Sequence, residues 1–165
     1  MTAKNLDGKA LSEQILQQVR QGVEARLAAG KRAPALAVIL VGAEPASAIY
    51  VRNKRRSCET ANVRSVSHDL PASTTQETLL ALIDQLNDDP GIDGILVQLP
   101  LPQHIDPETV IERIHPDKDV DGFHPVNIGR LSMKGRQPLF VPCTPAGCIV
   151  LLEEAGAQFK GASAV

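Results

Sequence analysis

A hydroxyl, a phenol and an amine recur in the stretch VGAEPASAIYVRNK, where Ser47, Tyr50 and Lys54 stand at i, i+3 and i+7. On an α-helix these three side chains share one face. The chemistry such a face supports is proton transfer: an amine that takes and returns a proton, with polar neighbours that orient it. A solvated lysine titrates near ~10.4, so exchange near neutrality calls for burial or a neighbouring cation. Arg52, Arg55 and Arg56 lie close in sequence. The competing reading is a solvated basic helix face with a snorkelling lysine.

The elements that must position this face can be read on either side of it. Residues 35–41 (ALAVILV) form a continuous apolar run, as a strand covered on both faces requires. Gly42 turns the chain and Pro45 suits a first helical turn, where its missing N–H costs nothing. The helix is expected to reach Ala61, with Asn62 in the left-handed cap position. The face therefore sits beyond a strand's carboxyl end, where open α/β sheets keep their sites.

Elsewhere Leu11, Ile15, Leu16, Val19, Val23 and Leu27 recur at helical spacing, with Gly30 as a stop. Residues 64–70 read as a strand with Val66 and Leu70 inward. Thr74 and Glu77 have capping-box spacing and open a helix striped by Leu79, Leu82, Ile83 and Leu86. Residues 94–99 (GILVQL) read as the next buried strand. Asp106 and Pro107 open a short helix in which Val110, Ile111 and Ile114 pack. Residues 115–130 read as loop, and Thr144 and Pro145 start a last helix that Gly156 stops. This order predicts an α/β fold, a mostly parallel sheet flanked by helices. Ala162 to Val165 read as the first half of a further buried strand.

Two later stretches carry polar groups where chemistry is plausible. In GILVQLPLP, Gln98 closes an otherwise apolar strand, and a buried amide left unpaired costs about 1–3 kcal/mol. It bonds either to nearby backbone or to a ligand or Lys54. In PDKDVDGFHPVNIGRL, alternation points Asp119 and Asp121 in opposite directions, one structural and one toward a ligand. His115 and His124 suit structural or capping roles, because neither has metal-ligand spacing.

Composition narrows the classes. A net charge of −2 provides no basic field, so nucleic acid is not expected as a partner. No apolar run is long enough to span a bilayer, so no membrane partner is expected either. Cys58, Cys143 and Cys148 form no CxxC pair and no acidic cluster has calcium spacing, so no metal is expected. An odd cysteine count without an apolar leader in MTAKNLDGKALSEQ points to reduced thiols and a cytoplasmic protein.

Together VGAEPASAIYVRNK, GILVQLPLP, PDKDVDGFHPVNIGRL and PCTPAG (142–147) resemble the bifunctional methylenetetrahydrofolate dehydrogenase/methenyltetrahydrofolate cyclohydrolase family in its bacterial form. The resemblance implies one-carbon metabolism. Family members oxidise 5,10-methylenetetrahydrofolate to 5,10-methenyltetrahydrofolate with NADP and hydrolyse the product to 10-formyltetrahydrofolate, which feeds purine, histidine and methionine biosynthesis. It implies a folate-binding catalytic domain over residues 1–143. Residues 144–165 would be an inter-domain helix and the first strand of an NADP-binding, Rossmann-like domain. By motif match Lys54 is the catalytic lysine and Tyr50 stacks on the aminobenzoate ring. Ser47 and Gln98 are polar neighbours of that lysine, and Asp121 bonds the pterin. The backbone of Val97, Gln98 and Leu99 lies in a stretch that lines the substrate, and Cys143 lies near the site. Tetrahydrofolate derivatives are the implied ligands and a homodimer the implied state of the longer family members.

The chain contains no G-x-G-x-x-G, so no NADP site is expected within it and unaided dehydrogenation is doubtful. Ala61-Asn62-Val63 stands where the family often has Gly-Ile. Two rivals remain: a folate-binding fragment without turnover, and an unrelated flavodoxin-like binding module that would hold phosphate at helix N-termini.

Overall fold

A computed structural model describes residues 5–42 and 44–163. Helices α1 (Gly8–Ala28), α2 (Pro45–Thr60), α3 (Gln76–Asp88), α4 (Pro107–Arg113), α5 (Pro125–Ser132) and α6 (Cys143–Glu154) surround strands β1 (Ala35–Val41), β2 (Arg64–Leu70) and β3 (Gly94–Val97). The sheet is wholly parallel in the order β2-β1-β3. The expected α/β architecture is therefore the observed one.

β1 is central and its apolar run is used on both faces. Ala35, Ala37, Ile39 and Val41 pack with Leu79, Ile83 and Leu86 of α3, Ile95 and Val97 of β3, and Val110 and Ile114 near α4. Val38 and Leu40 point the other way, onto Val51 of α2 and Leu96 of β3. Leu36 and Val120 are only partly buried on this side, so α2 leaves part of the second face open.

Helix boundaries follow local chemistry. Glu44 caps α2 by accepting from Ser47 N at 2.7 Å, and Asn62 takes the left-handed conformation beyond its end at φ 57°. Asp106 caps α4 through Glu108 N and Thr109 N. Gly30 follows α1 at φ 73°.

Several expectations need correction. The cap of α3 is Thr75, whose hydroxyl accepts from Thr78 N, one residue later than the Thr74 expected. Thr74 instead donates its hydroxyl to Pro71 O. β3 ends at Val97, not at residue 99: Gln98 N makes the last bond to β1, and the chain then turns away ahead of Pro100. The tract read as loop contains α5, which His124 caps through Val126 N and Pro125 starts. α6 begins at Cys143 rather than Thr144. The apolar stripe of α1 is mostly uncovered: Val23 is buried, while Ile15, Val19 and Leu27 are exposed. Of the further strand expected at 162–165, Ala162 and Ser163 lie in none, and Ala164 and Val165 lie outside the described residues.

Candidate active site

The open part of the second sheet face is a cleft of about 940 Å³. Leu36 and Leu96 line it from the sheet, Tyr50 and Lys54 from α2, and Asp121 and Cys143 from the opposite flank. It runs from Gln98 back to Gly94 along the edge strand, so it lies beside the sheet as well as beyond its carboxyl end.

Lys54 and Gln98 meet directly. Lys54 Nζ donates to Gln98 Oε1 at 3.1 Å. The amide is fixed from its other end, since Gln98 Nε2 donates to Leu99 O at 2.7 Å. Its backbone is held too, with Gln98 N bonded to Ile39 O at 2.9 Å. Both readings of Gln98 are thus realised at once. Arg55, by contrast, is drawn to Asp69 of β2 at 2.5 Å, so its charge is committed to the sheet's far edge.

Asp121 faces the cleft while Asp119 turns inward, as alternation predicted. Asp119 is 2% exposed and accepts from Phe123 N, His124 N and Asn127 Nδ2. Ile95 bridges to Asp119 and its N–H donates to Lys118 O at 2.8 Å, which lays this segment against β3. Lys118 reaches under it, donating to the carbonyls of Leu86, Asn87 and Asp89 at the end of α3. A cation is favourable there, at a helix carboxyl end. Gly122 has φ +70° and lies so close to Val141 and Pro142 that a Cβ would come within 2.7 Å of their backbone.

Burial raises the Asp121 carboxyl above the usual range; Lys54 opposes this and Asp119 adds to it. Burial likewise pushes the Cys143 thiol up, with Asp121 reinforcing the shift. That disfavours a thiolate nucleophile. The thiol donates weakly to Val120 O at 3.6 Å.

Of the residues expected at the site, Tyr50, Lys54, Gln98, Leu99, Asp121 and Cys143 line the one cleft. Ser47 does not: it is 2% exposed in the first turn of α2 and stays buried while its face continues outward to Tyr50. The Val97 side chain turns into the α3 core, which leaves this position its backbone alone to present to a ligand, as the motif match expects. Phe123 and Phe140 line the cleft and were missed. The available signal was scarcity: the chain has four aromatic residues, and three of them, Tyr50, Phe123 and Phe140, border this cleft. Among the described residues no group of three His, Cys, Asp or Glu side chains could hold a metal ion. No described helix is long and apolar enough to cross a membrane.

Comparison with known proteins decides the family. Residues 6–121 match the tetrahydrofolate dehydrogenase/cyclohydrolase catalytic domain. The chain belongs to this family. The solved bifunctional methylenetetrahydrofolate dehydrogenase/cyclohydrolase of Campylobacter jejuni is similar at 44% identity over 92% of this chain, with a TM-score of 0.85. The Bombyx mori 5,10-methylenetetrahydrofolate dehydrogenase matches at 39% identity over 94% of the chain, TM-score 0.90. The Trypanosoma brucei dehydrogenase-cyclohydrolase, solved with NADP and an inhibitor, matches at 36% identity over 96%, TM-score 0.91. The chain spans about half the length of these tetrahydrofolate enzymes: 53%, 53% and 54% respectively.

Proposed function

We propose that this chain is the folate-binding catalytic part of a methylenetetrahydrofolate dehydrogenase/cyclohydrolase, and that its cleft hydrolyses 5,10-methenyltetrahydrofolate to 10-formyltetrahydrofolate. The observation that carries this reading is the 3.1 Å contact between Lys54 and Gln98 inside a cleft also bordered by Tyr50 and Asp121.

The hydrolysis adds water to an electrophilic amidinium carbon, breaks one carbon–nitrogen bond and releases one proton overall. Lys54 takes the proton of the attacking water and returns one to the leaving nitrogen. Gln98, held by Leu99 O, aims the amine. Tyr50 is 62% exposed and offers a flat face with a polar tip, suited to the aminobenzoate ring. Asp121 accepts from the N–H donors of the pterin, and a charge-assisted pair of this kind is worth ~1.5–3 kcal/mol. Ser47, being buried, supports the helix rather than the ligand.

The residues present do not fit the pyrophosphate of NADP. The turn after β1 has a single glycine, Gly42, and the amino end of α2 is already capped by the Glu44 carboxylate. A second negative charge there is disfavoured. NADP therefore belongs to the further length that the relatives carry, as do dimerisation and the dehydrogenase step. The supply of 10-formyl groups for purine, histidine and methionine biosynthesis in the cytoplasm follows from the same reading.

The test is Lys54→Met. It should abolish hydrolysis of 5,10-methenyltetrahydrofolate while tetrahydrofolate binding stays measurable. Hydrolysis at the parent rate overturns the assignment. Tight binding with no hydrolysis by the parent chain supports instead a folate-binding fragment.

A further inference from the structure

Asn127 is fully buried, at 0% exposure, and no ligand-facing role explains it. Its side chain ties two other pieces of chain to α5. Nδ2 donates to Asp119 Oδ2 at 2.9 Å and to Pro116 O at 3.2 Å, and Oδ1 accepts from Leu139 N at 3.1 Å. Asp119 Oδ2 also takes His124 N at 2.9 Å, and Oδ1 takes Phe123 N at 3.2 Å. The pair thus braces the 116–122 segment, which carries Asp121, against the 139–142 segment, which leads into Cys143. The near contact of Gly122 with Val141 and Pro142 shows how little slack that junction has.

A buried amide joined to a carboxylate is a costly way to fill a core, since apolar residues of like shape pack there without a desolvation penalty. What a satisfied polar pair adds is one fixed geometry. We propose that Asn127 and Asp119 form a positioning pair that sets where the Asp121 carboxylate stands in the cleft. Neither touches the substrate; they act through Asp121. The inference rests on Asp121 meeting the pterin, and the experiment separates the two claims.

The experiment is a double-mutant cycle on the full chain with tetrahydrofolate as the probe. Asn127→Asp keeps shape and the acceptor for Leu139 N, but sets one carboxylate against another. It should weaken binding about tenfold in the parent and less than about twofold in Asp121→Ala, because coupled sites are not additive. In hydrolysis it should raise KM while kcat changes less than about threefold, the pattern of lost uniform binding. Equal losses in both backgrounds, or no loss in the parent, overturn the positioning role while leaving the folate reading intact. Unchanged affinity in Asp121→Ala alone overturns the pterin assignment, and the positioning role with it. Thermal unfolding checks that each variant folds. If Asn127→Asp does not, Asp119→Asn enters the same cycle; if neither folds, the pair belongs to the core alone and the proposal fails.

Discussion

The Lys54 amine reaches the Gln98 amide oxygen at 3.1 Å across 44 residues of sequence. It is the contact by which α2 and the exit of β3 become one site. Because Gln98 is also tied to Leu99 O at 2.7 Å, the amide is a fixed acceptor for the amine. Hydrogen bonds to charged groups are worth about 1.5–3 kcal/mol, so Gln98→Leu should lower kcat for methenyl hydrolysis about 10- to 100-fold. Steady-state kinetics with KM resolved separately checks this. A parent-like kcat removes Gln98 from the mechanism.

Asp121 is a stability cost to the fold at neutral pH. Its folded-state carboxyl is raised chiefly by burial, so ionising it opposes folding above that raised value. The sign is therefore opposite to that of a paired carboxylate. Asp121→Asn should raise the Tm at neutral pH, with the gain shrinking as pH falls through the carboxylate range and the parent becomes neutral. The same variant should bind tetrahydrofolate more weakly. Thermal melts from acid to neutral pH, beside a titration calorimetry series, give both readouts.

Asp93 behaves in the reverse sense. Its bond to Arg32 at 2.6 Å, with its acceptance of Ala35 N at 2.8 Å, holds its carboxyl below the ordinary range. A depressed group contributes stability above its unfolded value and loses it as pH falls through the folded one. Asp93→Asn should lower the urea midpoint at neutral pH, and the difference should close under strong acid. A difference that persists in acid assigns the effect to packing at the start of β1.

Gly122 offers a purely steric test. Its φ of +70° and the 2.7 Å approach to Val141 and Pro142 leave no room for a Cβ. Gly122→Ala should cost about 1–3 kcal/mol, read from urea unfolding. Tetrahydrofolate affinity should fall alongside, because Asp121 is the adjacent residue.

Much of this was legible in the sequence, for identifiable reasons. The run 35–41 has the continuous apolar character that a strand covered on both faces requires, and β1 is such a strand. Alternation put Asp119 and Asp121 on opposite sides, as observed, but left open which of them faces the cleft. Ser47 misled because helical spacing reports direction but not depth, and the first turn of α2 is covered where its middle is not. α5 was missed because HPVNIGRL carries few strong helix formers, and its start depends on a histidine acting as cap. The roles of Lys118 and Asn127 were out of reach, since their partners lie in other segments and become visible only on folding.

The most direct test of the central claim is an amide NMR titration of this 17.6 kDa chain with tetrahydrofolate. The account predicts that the largest shifts fall together on Tyr50, Lys54, Gln98, Leu99, Asp121 and Cys143, drawn from four segments separated in sequence. Shifts confined to one of those segments, or centred on α1 and the far edge of β2, contradict it.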